Sequence, residues 1–281
     1  MALLSKGVPI AMLCFVVSSM LAMGLNLTVQ QIVAPLRNVR LVSLALVANF
    51  VLMPLGAIGL ARLLHLDQGH AVGLLVLGAA AGAPFLPKLA AVARGNQAVA
   101  VGVMVLLMVL TVGYMPVVLP MLLEGVSVDV TKIARSLVLL MLLPLGVGLV
   151  VKARYAGVAA TMKPGLDRVS NISLILVITL ITVTNLENVI AVFGTGGILA
   201  GLLFLAWGLA VGYFLGGPDL DTRRVLGLGT AQRNIAAALV VGGQNFSDPK
   251  VVVMITVVAL IGLILLMSLS RFLSTRPVGS T

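Results

Sequence analysis

The sequence predicts an all-α, polytopic membrane protein of about nine transmembrane helices. Three observations carry this fold class. Of 281 residues, 60% are hydrophobic, only 9% are charged, and the apolar residues gather into runs long enough to cross a bilayer. A soluble domain carries about 25% charged residues. A chain with a mean hydropathy of +1.21 cannot keep its surface in water and must turn much of it to lipid.

A span needs about 20 apolar residues, and polar or Gly/Pro-rich breaks set the boundaries. In order, the segments are 8–29, 41–64, 69–93, 97–123 and 132–151, then 168–189, 193–215, 223–243 and 249–272. The first, behind Lys6, has the outline of a signal peptide. It is long enough to span and no clear small-residue cleavage site follows, so it reads as a retained helix. The connections are too short for a domain outside the membrane, and the chain reads as one transmembrane domain over 1–281.

The net charge of +10 does not imply a nucleic acid partner. That reading needs bases clustered on a wet face, often with aromatics between them. Here the bases are scattered between apolar runs and aromatics are 4%. They mark topology instead. The side bearing the N-terminus holds Lys6, Arg62, Lys132, Arg135 and Lys250. The other holds Arg37, Arg40, Arg94, Lys152, Arg154, Lys163, Arg168, Arg223, Arg224, Arg271 and Arg276. Five against eleven places the N-terminus outside and the C-terminus in the cytoplasm, with the chain in the cytoplasmic membrane. A single cysteine, Cys14, offers no intrachain disulfide, and no Cys/His cluster offers a metal site, so no cofactor is expected. His65 and His70 flank a short polar connection and read as solvated loop residues.

Two of the eighteen bases are left, Lys88 and Arg233, inside the third and eighth segments. The third carries Gly78, Gly82, Pro84 and Pro87, which should unwind it near 83–87. The eighth carries Gly227, Gly229 and the polar run Thr230, Gln232, Arg233, Asn234 at comparable depth. Each has a Leu-Gly pair before its disturbed centre, an Ala-rich stretch after it, and then a polar break before a Val-rich helix. Lying five spans apart, they run in opposite directions. Interrupted helices at matching positions of an inverted repeat are the sequence pointer to a transporter site. The repeats read as about 8–123, lacking a first helix, and about 132–272. A charge at membrane depth costs about 2.5–3.5 kcal/mol on the insertion scale, so two of them mark function.

The runs GTAQRNIAAAL (229–239) and APFLPKLAAVARGNQAVAV (83–101), with NFVLMP (49–54) and MGLNL (23–27), resemble the bile acid:sodium symporter family. The resemblance implies panel and core domains and two broken helices crossing at two sodium sites. It also implies a Glu and a Gln, four apart, as ligands in the second broken helix. Matched on Asn234, those positions hold Gly229 and Arg233, and the family's Ser-Asn in the first broken helix falls at 86–88, around Lys88. Asn49 stands where the family has a Gln and still offers an oxygen. All eight acids (Asp67, Glu124, Asp129, Asp167, Glu187, Asp219, Asp221, Asp248) fall at or beyond the ends of the segments.

Carboxylate lost and cation gained in both repeats suggests that Lys88 and Arg233 stand in for the two sodium ions. A fixed cation beside a sodium site opposes the ion by several kcal/mol, about 4 kcal/mol at 4 Å and effective dielectric 20. The competing roles are direct binding of an anionic substrate and, for each base, snorkelling to an interface. The expected crossover region comprises Asn49, Pro84, Pro87, Gly229, Thr230, Gln232 and Asn234. Asn26, Thr28, Asn171, Thr182, Thr184 and Asn185 are further polar residues near the path, and Trp207 reads as packing. The expected function is secondary transport of a small organic anion, with sodium-coupled symport and a membrane receptor or structural role as alternatives. No HExxH, GxSxG or intramembrane acid pair supports an enzyme. With no embedded Asp, Glu or His, proton coupling is not expected.

Overall fold

The computed structural model describes residues 2–123, 129–192 and 194–275; Glu124 and Arg276 of the sequence reading lie outside them. The described residues form helices and their connections, with no strand among them. In order these are α1 (Ala2–Asn26), α2 (Val29–Val33), α3 (Val39–Val47), α4 (Met53–Leu63), α5 (Gln68–Ala79), α6 (Leu86–Val92) and α7 (Gln97–Leu122). They continue with α8 (Val130–Leu137), α9 (Leu143–Arg154), α10 (Ala156–Thr184), α11 (Leu186–Ala191) and α12 (Gly197–Leu215). The last are α13 (Leu220–Ala231), α14 (Ile235–Asn245) and α15 (Pro249–Thr275). π turns at Ala48–Leu52 and Val138–Leu142 join α3 to α4 and α8 to α9 into continuous rods.

Among the described residues, eight helices are long and apolar enough to cross a membrane. The third expected segment is instead two short helices, α5 and α6, and the eighth, Leu220–Asn245, is divided into α13 and α14. Enclosure by other helices lets that interrupted backbone exist at membrane depth: 94% of the central window of Leu220–Asn245 is buried.

The first break lies earlier than the prolines suggested. α5 ends at Ala79 and α6 starts at Leu86, so the unwound stretch is 80–85. Pro87 sits in the first turn of α6, where its missing N–H is an orphan anyway. Gly82 carries the bend at φ 77°, and a Cβ there would overlap the backbone of Met108. One other boundary differs from expectation. α10 begins at Ala156 rather than near 168, accommodating Pro164 within the helix. Asp167 therefore lies inside a helix, not beyond one, and pairs with Lys163 at 2.7 Å.

Small residues bring the rods together, as lipid-embedded packing requires. Gly24 and Gly148 let the backbones of α1 and α9 touch, and α1 also lies along α10. Gly208 and Gly212 do the same for α12 on α13, while α5 packs on α4 and α15. His70 is fully buried between these elements, not solvated; Asp67 caps the helix that carries it, so the first turn of α5 enters the bundle at once.

Candidate functional site

Chain interruption creates the site. A helix ends with carbonyls that lack intrahelical partners, and in a bilayer core no water is at hand to satisfy them. The end of α5 and the end of α13 both face this problem, and Arg233, only 3% exposed, solves it for both. Its Nε donates to Leu77 O at 2.9 Å and its Nη2 to Gly78 O at 2.8 Å, both in the last turn of α5. Its Nη1 donates to Thr230 O of α13 at 3.2 Å and to Asn49 Oδ1 at 2.7 Å. The guanidinium thus sits in a shell of four oxygens, three of them backbone. The negative ends of two helix dipoles point at it, and no carboxylate pairs with it among the described residues.

Neighbours fix that shell. Asn49, 1% exposed, donates from Nδ2 to Ala45 O at 3.0 Å and to Thr230 Oγ1 at 3.2 Å, which orients its oxygen toward Arg233. Asn234 crosses to the other broken helix. Its backbone N–H reaches Ala80 O at 2.9 Å, its Nδ2 reaches Gly82 O at 3.1 Å, and its Oδ1 caps α14 at Ala237 N. The two interrupted segments are therefore tied through one asparagine and one arginine.

The structure brings together Asn49, Thr230, Arg233 and Asn234 from the expected set. Gly229 lies on the buried face of α13 against Leu86: a Cβ there would lie 2.7 Å from Leu86 Cδ2. Gln232 is buried beside the shell and lines a small crevice with Leu77 and Leu205. Pro84 and Pro87 are half-buried on either side of the turn into α6.

Lys88 does not join them. It is exposed on α6, its Nζ lies 5.2 Å from the centre of the Phe85 ring, and its side chain makes no hydrogen bond or ion pair among the described residues. With Pro87 inside the first turn of α6, Lys88 is already helical, and it is exposed where Arg233 is enclosed. The remaining polar residues on the path mostly serve their own helices. Thr184 and Asn185 donate to the carbonyls of Leu180 and Ile181, Thr28 caps α2, Thr182 is half-buried, and Asn26 and Asn171 are exposed.

Three residues outside the expected set support the site. Thr111 Oγ1 accepts Ala81 N–H at 3.1 Å and donates to Ala81 O at 3.2 Å, holding the unwound stretch from α7. Tyr114 donates to Phe50 O at 2.6 Å, the carbonyl that Pro54 cannot use because proline has no N–H. Trp207 does more than pack: its indole N–H reaches Leu52 O at 2.9 Å across Gly56. Pro54 was the available signal, since a proline inside a span frees a carbonyl that some neighbour must satisfy.

A cavity of about 200 Å³ lies elsewhere, between α1, the second π turn, α14 and the start of α15. Met12, Leu140, Gln244, Ser247 and Asp248 line it, with no Lys or Arg in its wall and none of the Arg233 shell.

A multi-pass membrane protein whose interrupted helices cross around a buried polar centre is the class that this fold and site define. Residues 12–192 match the model of the Sodium Bile acid symporter family, and the chain belongs to that family. It is 29% identical over 202 residues to the uncharacterized sodium-dependent transporter YocS of Bacillus subtilis, covering 70% of this chain and 60% of that protein. It is 25% identical over 259 residues to the hepatic sodium/bile acid cotransporter of Rattus norvegicus, covering 88% of this chain and 70% of that protein. The family is one of transporters, not of enzymes.

Proposed function

We propose that this protein is a secondary transporter of a small organic anion, working by alternating access across the cytoplasmic membrane without sodium. The N-terminus is outside, and the interrupted helices are the matching elements of an inverted repeat. One observation carries the sodium independence: the guanidinium of Arg233 occupies an oxygen shell of the kind a metal cation requires, built from Leu77 O, Gly78 O, Thr230 O and Asn49 Oδ1. The position matched to the family's carboxylate is Gly229, with Leu86 packed against it. A hard cation would find neither a free oxygen set nor a balancing carboxylate there, and would meet a fixed positive charge.

Lys88 takes the other role open to a base at this depth. Exposed and free of hydrogen bonds among the described residues, its ammonium is available to an anionic substrate, where Arg233 is committed to the backbone. The names of the relatives favour the alternative, sodium-coupled symport. Thermal stability of the purified protein against a panel of organic anions, in sodium and in potassium buffer, separates the two. Ligands stabilise the state they bind. The expected result is stabilisation by an anion to the same degree in either cation; stabilisation or uptake that requires sodium overturns the proposal.

A further inference from the structure

His70 lies at the opposite end of α5 from the crossing. Its Nδ1 is 2.8 Å from Asp67 Oδ2, and Lys250 Nζ of α15 is 3.3 Å from that same oxygen. Its Nε2 is buried and meets no donor or acceptor among the described residues. The start of α15 presses on this turn: the Asp248 carboxylate lies where a Cβ on Gly69 would be, and Asp248 Oδ1 accepts Lys250 N–H at 2.9 Å. Of the other elements packed on α5, α14 and the first π turn hold no titratable side chain. α4 holds Arg62, exposed in its last turn, and α7 holds Tyr114, committed to Phe50 O; His65, in the connection, is exposed. Asp67, Asp248 and Lys250 are therefore the charges that surround the imidazole.

Protonation changes this arrangement in two ways. It turns Nε2 into a charged donor with nothing to receive it, and a buried unpaired group of that kind is costly. It also sets a second cation on the one carboxylate oxygen that Lys250 uses, so the tie between α5 and α15 weakens. The bond from His70 to Asp67 is internal to the first turn of α5. It survives if α15 moves away, so it does not favour either state. Burial raises the Asp67 carboxyl, but the His70 N–H, the His70 ring and the Lys250 ammonium outweigh it and hold that group below its ordinary value of 3.8. Asp67 therefore stays ionised over the range in which an imidazole titrates.

We propose that His70 is a proton-operated latch: neutral, it holds the start of α15 on α5, and protonated, it releases this end of the bundle and opens the adjoining cavity beside Asp248. The latch goes beyond the sodium-free reading and is independent of which cation or substrate is carried.

Hydrogen exchange of the full chain in detergent tests it, at about pH 5 and about pH 8 on either side of the imidazole range, each corrected for the intrinsic rate. In acid, peptides covering 64–72 and 246–253 should exchange about tenfold or more faster, as expected when a buried group loses its partner, while α12 is unchanged. His70→Gln should abolish that gain. No local gain in acid, or the same gain in His70→Gln, overturns the proposal. If His70→Gln does not fold, the ring nitrogens of the wild-type protein, assigned with His65→Gln, decide by NMR. An imidazole that protonates with the midpoint of the exchange gain supports the latch. One that stays neutral through that gain, or protonates without it, overturns it.

Discussion

Arg233→Met is the most direct test of the crossing, because methionine keeps most of the side chain's length and removes every donor. Leu77 O keeps a second partner, the Ala80 N–H at 3.0 Å. Gly78 O, Thr230 O and Asn49 Oδ1 have Arg233 as their one donor among the described residues. A buried acceptor left without a partner costs about 1–3 kcal/mol, giving about 3–9 kcal/mol for three. Hydrogen bonds measured within membranes average nearer 0.6 kcal/mol, which sets a floor of about 2 kcal/mol for three. Removing the guanidinium also relieves its own desolvation, so the lower half of the range is expected, about 2–5 kcal/mol. The free energy of unfolding, from titration with a denaturing detergent, measures this directly. Arg233→Lys should recover part of the loss, since an ammonium keeps the charge and three donors but not the planar fork. A loss in Arg233→Met below about 1 kcal/mol would refute the argument, because the carbonyl shell would then be satisfied without the guanidinium.

The remaining predictions test other parts of the same construction. Arg233→Gln combined with Gly229→Glu and Leu86→Ala should create sodium-dependent thermal stabilisation, whereas Gly229→Glu alone should destabilise, since its Cβ lies 2.7 Å from Leu86 Cδ2. Gly82→Ala should cost about 2–4 kcal/mol on detergent unfolding, from the left-handed backbone together with overlap on Met108. Trp207→Phe and Tyr114→Phe should each cost about 1 kcal/mol, the loss of one hydrogen bond to a carbonyl of the π turn. The hydroxyl and backbone N–H of Thr222 hold the Asp219 carboxyl below its ordinary value of 3.8. Its contribution is therefore complete above that value and lost as pH falls through the lower folded one, and Asp219→Asn should flatten the acid limb of a stability–pH curve.

Hydropathy made the spans legible because lipid imposes a length and a composition on each rod. Arg233 was legible for the same reason: a base in mid-span has to be buried on purpose, and its neighbours Asn49, Thr230 and Asn234 are polar in an apolar run. Lys88 carried the same signal but not the same fate. Its side depends on where the helix restarts, and two prolines three residues apart allow two restarts. Trp207 and Tyr114 were harder, because their partners are backbone carbonyls beside a π turn, to which the sequence points only indirectly, through Pro54. His70 was misplaced because a polar connection beside it suggested water, whereas the Asp67 cap turns the chain inward within a single turn.

An exchangeable ion and a tethered one do different work even in the same oxygen shell. A ligand shifts a conformational equilibrium only through its different affinity for the two states. An ion that comes and goes makes that shift depend on its gradient. Arg233 is held at the crossing by covalent connection, so its contribution is the same at every salt concentration and cannot be drawn from an ion gradient. In a sodium-free carrier it would stabilise the crossing without coupling it. On the proposed reading, any drive beyond the substrate's own gradient has to enter through a group that changes state in water-like conditions. His70, fully buried with one ring nitrogen unpartnered, is a group of that kind among the described residues outside the crossing. A sodium-free carrier with a protonatable latch should therefore respond to pH where its relatives are named for sodium, and the two mutational series, at Arg233 and at His70, should act independently of each other.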